Sequence, residues 1–106
     1  MLLLSFNLYK RQGFKVIKVK VGLDLDNDIK RIQRIRKEVG NSIKVVVDAN
    51  QGYTLREAQL FLSKIEAFNI GFLEQPVKFS DFYALKRLKE SSSIPIMADE
   101  SLKLHP

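Results

Sequence analysis

Three carboxylate side chains follow short apolar segments of the chain. The segments end at Asp48, Glu74 and Asp99, and each has the length of one β-strand. The carboxyl ends of parallel strands share one edge of a sheet, which is where the active sites of α/β proteins lie. Three carboxylates held close together repel one another unless a cation lies between them. Because oxygen ligands suit hard divalent cations, the pattern predicts a Mg²⁺ site, with Mn²⁺ as a second option.

Two lysines lie two residues apart in an earlier strand-like segment. Lys18 and Lys20 share one face of such a strand, whereas Ile17, Val19 and Val21 point to the other face, where helices can cover them. Neighbouring positive charge favours the neutral form of a lysine. A neutral lysine can remove a proton from a carbon next to a carboxylate, while a cation stabilises the negative charge that develops. The lysine pair and the carboxylates together predict proton-transfer chemistry.

Each of these features has a simpler structural explanation when it is taken alone. A single aspartate at a strand end is more often a helix or loop cap than a metal ligand, and a lysine pair is usually an exposed strand edge. Asn50 and Glu100 lie close to the predicted ligands in the chain. We assign them either to supporting those ligands or to local capping and packing. The occurrence of all the charged groups in order, one set at each strand end, favours a functional site.

The elements that must position these groups follow from the apolar pattern. Strands are predicted at residues 14–21, 43–49, 70–75 and 94–99. Helices are predicted at 28–39, from Thr54 onwards, from Ser80 or Asp81 onwards, and as a helix end at 6–12. The second helix has a capping-box pattern, because Glu57 follows Thr54 by three residues.

Alternating strands and helices predict a parallel α/β sheet, because the strands are too apolar to leave one face in water. This pattern alone leaves two architectures, an open doubly wound sheet and a partial (β/α)8 TIM barrel. No glycine-rich nucleotide-binding loop follows the first strand, where the sequence reads VGLD at 21–24. The charged strand ends favour the partial barrel, with about four parallel βα units.

Several motifs resemble the enolase superfamily, and more narrowly its muconate-lactonising-enzyme subgroup. They are GF at 13–14, KVKVG at 18–22, DANQGY at 48–53, LEQPV at 73–77 and MADES at 97–101. The residues of the DANQGY and MADES motifs are most similar to those of dipeptide epimerases. These enzymes interconvert L-Ala-L-Glu and L-Ala-D-Glu or related dipeptides. The resemblance runs from about Gly13 to Leu102.

The resemblance implies roles for individual residues. Asp48, Glu74 and Asp99 would bind Mg²⁺, Lys20 would be the catalytic acid/base, and Lys18 would tune Lys20 and hold the substrate carboxylate. The four strands would correspond to the second to fifth strands of the barrel. Residues 1–106 are then expected to be a partial barrel domain that lacks the capping domain, the second catalytic lysine and the end of the barrel.

Length, composition and net charge limit the classes of protein to which the chain can belong. The chain has 106 residues, which suits one small domain, and it has no cysteine, which fits a cytoplasmic location. No segment approaches the roughly 20 apolar residues that cross a bilayer. The net charge of +6 could indicate nucleic-acid binding. However, the densest basic cluster (Lys30, Arg31, Arg34, Arg36 and Lys37) follows acidic residues on one helix, which favours a solvated helix face.

The sequence therefore predicts a fragment of a Mg²⁺-dependent racemase or epimerase that acts on a small carboxylate, such as a dipeptide. Two alternatives stay open. One is a non-catalytic metal-binding half-barrel, which could complete a barrel by self-association. The other is a fragment of a muconate cycloisomerase or a succinylbenzoate synthase type of enzyme. Neither nucleic acid nor a membrane is expected as a partner.

Overall fold

The computed structural model describes residues 6–11 and 14–98 of the chain. Five strands form one sheet in sequence order, and the four strands from β2 to β5 are parallel. The strands are β1 (Phe6–Arg11), β2 (Phe14–Lys20), β3 (Lys44–Asp48), β4 (Ile70–Glu74) and β5 (Ile96–Met97). The predicted α/β arrangement of four parallel strands separated by helices is confirmed.

Three helices connect the parallel strands. They are α1 (Leu25–Val39), α2 (Leu55–Ile65), which continues as a 3₁₀ turn (Glu66–Phe68), and α3 (Phe82–Ser91). The predicted capping box of α2 is present, because the Thr54 hydroxyl accepts from the Glu57 N–H while the Glu57 carboxylate accepts from the Thr54 N–H. Asp81, one of the two predicted caps, begins α3 by accepting from the Ala84 N–H.

The first helix begins earlier than the prediction of residue 28. Asp24 caps it by accepting from the Asn27 N–H at 3.3 Å. Asp26 and Asp28 therefore lie in the first turn, where the helix dipole favours negative charge. Gly40 ends the helix as expected, with a φ of 77°.

The core lies between one face of the sheet and the inner sides of the helices. Its largest fully buried apolar side chains are Phe61, Ile17, Ile32, Ile35, Ile65, Leu73 and Leu88. Burial of a side chain of this size contributes about 2 kcal/mol. Along β2, Ile17 and Val19 belong to this core, so the intervening Lys18 extends from the opposite face of the strand. The predicted division of β2 into an apolar face and a lysine face is confirmed at these positions.

The expected helix end at residues 6–12 is wrong for the described part of that segment. Residues Phe6–Arg11 form β1, which pairs antiparallel with β2 from Phe6 opposite Val19 to Arg11 opposite Phe14. An isolated last turn of helix would leave the backbone groups along that edge of β2 without partners, whereas a strand satisfies them.

Two further expectations concern the carboxyl end of the chain. β5 contains only Ile96–Met97, which is shorter than the predicted 94–99. Asp99 and Glu100 lie outside the described residues. The predicted third metal ligand and its neighbour therefore stay predictions.

The basic side of α1 is only partly exposed. Lys30, Arg34 and Lys37 are exposed, as predicted for a solvated helix face. The prediction is wrong for Arg36, which is buried, and for Arg31, which lies against Asp28. Among the described residues, none of the helices is both long enough and apolar enough to cross a membrane.

Candidate functional site

Lys18 lies between two of the predicted metal ligands. Its Nζ is 2.8 Å from Glu74 Oε1 and 3.7 Å from Asp48 Oδ2. The Lys18 side chain keeps 26% of its surface exposed, whereas Asp48 and Glu74 keep 11% and 13%. The structure thus brings together three of the predicted site residues, from β2, β3 and β4, on the sheet face that the helices do not cover.

Asp48 is held in place by the turn that follows β3. Its Oδ1 accepts a hydrogen bond from the Asn50 N–H at 2.8 Å, which leaves Oδ2 directed at Lys18. The Asn50 side chain is exposed, and its backbone has a φ of 49°. Asn50 therefore contacts the carboxylate through its main chain, a contribution that the sequence did not distinguish from a side-chain role.

Lys20 ends β2 at the same edge of the sheet. It pairs with Asp48 in the strand register, and the alternation of β2 places it on the same face as Lys18. Its side chain is exposed, and its carbonyl accepts a hydrogen bond from Arg31 Nη2. The lysine predicted to transfer protons therefore has an exposed side chain and lies beside Asp48 in the strand register.

The donor set fits a hard cation. Asp48 and Glu74 offer only oxygen atoms, and the Lys18 ammonium already marks the space beside both carboxylates as one that favours positive charge. Within the described ranges, no cluster of three histidine, cysteine, aspartate or glutamate side chains suited to a metal is present. Asp99, the third predicted ligand, lies outside those ranges.

The backbone around the site is held in an unusual conformation. Gln51 and Gln75 have φ values of 63° and 51°, a left-handed region that residues other than glycine rarely adopt. The Gln51 N–H donates to the Gln75 carbonyl at 2.7 Å, and the Ala49 N–H donates to the Glu74 carbonyl at 2.9 Å. The ladder between the β3 and β4 chains thus continues beyond the strands, at a cost of about 1 kcal/mol or more for each left-handed residue.

Two glycines allow the loops beside the site to touch through their backbones. A Cβ atom on Gly22 would lie 2.1 Å from the Ala49 carbonyl oxygen, and one on Gly52 would lie 2.1 Å from the Gly22 oxygen. Gly22 also has a φ of 112°, which favours glycine. These contacts fix the loop after β2 against the loop after β3.

A buried aspartate behind the site was missed by the sequence reasoning. Asp28 is only 1% exposed, and its Oδ2 accepts from the Gly22 N–H and from the Tyr53 hydroxyl. Burial, followed by the hydrogen bond and charge of Asp28, raises the pKa of Tyr53 above its ordinary value of 10.0. The signal was the position of Asp28, four residues before Ile32 and seven before Ile35, which places it on the buried side of the helix.

The chain is similar to known proteins over most of its length. Residues 5–105 match the family described as enolase C-terminal domain-like. The chain is 45% identical over 97 residues to the L-Ala-D/L-Glu epimerase of Bacillus subtilis, a match that covers 89% of this chain and 26% of that protein.

Two solved structures are similar in fold and in sequence. The dipeptide epimerase of Cytophaga hutchinsonii, complexed with Mg and the dipeptide D-Ala-L-Val, has a TM-score of 0.78 at 43% identity over 83% of this chain and 24% of that one. The 3,6-anhydro-D-galactonate cycloisomerase of Zobellia galactanivorans has a TM-score of 0.79 at 40% identity over 84% and 25%.

The comparisons agree on ancestry and differ in the reactions of the relatives. This chain spans about a quarter of the length of the proteins that it matches. The family match covers nearly all of the chain, and it agrees with the parallel βα units and with the motifs at the strand ends. The chain belongs to the enolase C-terminal domain-like family of the enolase superfamily.

Proposed function

We propose that this chain is part of a Mg²⁺-dependent racemase or epimerase that moves a proton on a carbon next to a carboxylate. The observation that carries the proposal is the placement of Lys18 against Asp48 and Glu74 at the edge where β2, β3 and β4 end. Residues 1–106 would form part of the barrel domain, corresponding to its second to fifth strands. The complete activity belongs to the whole barrel, to which this chain supplies several groups.

Asp48 and Glu74 would hold the metal ion, with Asp99 as the third ligand. When bound, Mg²⁺ would supply positive charge that stabilises the negative charge developing on the substrate carboxylate. The same oxygen-only set would accept Mn²⁺. Asn50 would support the arrangement by donating its N–H to Asp48 Oδ1, which limits rotation of the carboxylate. Glu100 would support Asp99 from the next position in the chain.

The two lysines would have different tasks. Lys20 ends its strand with an exposed side chain, so it can reach a substrate that lies above the carboxylates. It would remove the proton from one face of the substrate carbon and return it there. Lys18 lies beside Glu74 and Asp48, so it would place a positive charge near the substrate carboxylate.

A dipeptide is the substrate class that the relatives support. The similar proteins of Bacillus subtilis and Cytophaga hutchinsonii are named as epimerases of dipeptides, and the identity to each exceeds 40%. We propose L-Ala-L-Glu as the first compound to test. Association of this chain with further copies or with the rest of a barrel stays a prediction.

Hydrogen–deuterium exchange at the substrate carbon tests the proposal. The 106-residue chain is incubated with L-Ala-L-Glu and Mg²⁺ in D₂O, and NMR follows the α-proton of the glutamate residue. We expect slow deuterium incorporation without inversion, because Lys20 serves one face of the carbon and inversion needs an acid/base on each face.

The matched variants for this experiment are Lys20→Ala and Lys15→Ala, which lie on the same strand. Exchange should require Mg²⁺, disappear in Lys20→Ala and persist in Lys15→Ala. Exchange that is equal in all three proteins would contradict the role of Lys20. Inversion that depends on Lys20 would show that the chain provides acid/base groups on both faces.

A further inference from the structure

The backbone that carries Lys20 is held from three sides. The Lys20 carbonyl accepts from Arg31 Nη2, and the Val21 N–H donates to the Asp48 carbonyl at 2.8 Å. The Gly22 N–H donates to Asp28 Oδ2 at 2.9 Å. Three consecutive residues at the end of β2 therefore each have a backbone polar group fixed by a different partner.

Asp28 connects these contacts to the neighbouring loop. Its Oδ2 also accepts from the Tyr53 hydroxyl at 2.7 Å, and its Oδ1 lies 3.5 Å from Arg31 Nη1. The Tyr53 N–H in turn donates to the Pro76 carbonyl at 3.1 Å, and the Tyr53 ring packs on Phe61 with centroids 5.1 Å apart. One buried carboxylate thus joins the loops that follow β2 and β3, and Tyr53 extends the connection to the loop that follows β4.

Arg31 is oriented towards Lys20 in spite of an unsatisfied polar group. Among the described residues, its Nε is buried and has no hydrogen-bond partner, whereas its two terminal nitrogens reach Lys20 and Asp28. A buried donor without a partner lowers stability. The two terminal nitrogens of Arg31 connect the Lys20 carbonyl to the buried carboxylate of Asp28.

We propose that Asp28, Arg31 and Tyr53 form a positioning clamp that sets the place of Lys20 relative to Asp48. The clamp acts through main-chain groups and contacts no substrate. Its importance for catalysis rests on the proposed role of Lys20, but its geometric effect can be measured without any reaction. Gly22 completes the clamp, because only glycine allows the loop to approach Ala49 so closely.

NMR of the chain with ¹³C- and ¹⁵N-labelled lysine tests the clamp. The variants are Arg31→Lys, Tyr53→Phe and Asp28→Asn, and the matched controls are Arg34→Lys, Tyr83→Phe and Asp26→Asn, whose side chains are exposed. We expect the Lys20 carbonyl resonance to shift and the order of its side chain to fall in the three clamp variants. Lys15, at the other end of β2, should keep its signals in all six proteins.

Arg31→Lys is the decisive variant if the others do not fold, because it keeps the charge and leaves both hydrogen bonds to Asp28 Oδ2 intact. Lys20 signals that match wild type in every folded clamp variant would overturn the proposal. Equal shifts at Lys15 and Lys20 would also overturn it, because they would indicate general loosening. If the wild type shows no Lys20-dependent deuterium exchange while the Lys20 signals still move, the clamp stands and the proposed function fails.

Discussion

Two basic side chains at opposite ends of the sheet, the buried Arg36 and the partly exposed Lys18, are bound in different ways. Arg36 donates to four backbone carbonyls, those of Gly40, Ile43, Phe68 and Asn69, at 2.7 to 2.9 Å. Lys18 pairs with the carboxylates of Asp48 and Glu74. The partners of Arg36 are main-chain carbonyls, whereas those of Lys18 are carboxylate side chains.

We interpret Arg36 as a structural charge and Lys18 as a charge of the proposed site. Arg36 joins the end of α1, the approach to β3 and the turn before β4, because its guanidinium donates to carbonyls in all three segments. Burial lowers the pKa of Arg36 from its ordinary value of 12.5, yet the group stays charged at neutral pH. Lys18 instead helps to offset the repulsion of two carboxylates held on one edge.

The largest effect is expected for Arg36→Ala. The substitution leaves four carbonyls without their donor, so the free energy of unfolding should fall by about 3 to 5 kcal/mol. Urea denaturation followed by circular dichroism measures this. Arg34→Ala, on the same helix with 73% of its side chain exposed, is the control and should change stability by less than about 0.5 kcal/mol. Similar losses in both variants would contradict the structural role of Arg36.

The sequence predicted the local elements well because their signals are local. The Thr54–Glu57 capping box, the Asp81 cap and the strand-end carboxylates each depend on residues within a few positions of one another. The sequence could also predict that Asp48 and Glu74 lie side by side, because the carboxyl ends of parallel strands meet at one edge of the sheet.

The contacts that escaped prediction connect distant parts of the chain. Tyr53 and Asp28 are 25 positions apart, and Arg36 reaches a carbonyl 33 positions away. Arg36 follows Ile32 by four positions, which places it on the buried side of α1, but the sequence does not show which distant carbonyls it reaches, and it was assigned to a solvated face. The strand at Phe6–Arg11 escaped for a similar reason, since its conformation depends on the free edge of β2.

A second prediction compares Gly22, which lies in the loop after β2, with Gly40, which ends α1 beside Arg36. Gly22→Ala places a methyl group 2.1 Å from the Ala49 oxygen, whereas Gly40→Ala meets nothing within 4 Å. Both glycines have positive φ values, so both substitutions introduce backbone strain of about 1 kcal/mol. The overlap at Gly22 should bring its total to about 3 kcal/mol.

Thermal and urea unfolding of the two glycine variants measure the difference in their free energies of unfolding. The backbone at Lys20 should also shift in Gly22→Ala, because the loops after β2 and β3 must separate. If Gly40→Ala is destabilised as strongly as Gly22→Ala, the close approach of the two loops is not what requires glycine at position 22.

The smallest expected effect concerns Lys18 and the binding of a divalent cation. Replacing it with methionine keeps most of the side-chain length but removes the charge that lies 2.8 Å from Glu74. Stability should change by less than about 1 kcal/mol, because a partly exposed ion pair contributes little. The two carboxylates would then lack their protein cation, so Mg²⁺ should bind more tightly. A screened charge at this distance is worth about 1 kcal/mol, which corresponds to roughly fivefold in affinity.

Isothermal titration calorimetry of Mg²⁺ into wild type, Lys18→Met and Lys15→Met measures this change in affinity. A further variant, Glu74→Gln, should bind Mg²⁺ more weakly than wild type. Lys15 is exposed on the same strand, so its variant controls for the change in net charge. Weaker binding in Lys18→Met would mean that the lysine holds the carboxylates in the geometry that the metal requires. Lys18 would then resemble Arg36 as a fixed structural cation. Tighter binding would instead show that the ammonium and the metal compete for the same oxygens, which is expected where a charge is held for chemistry.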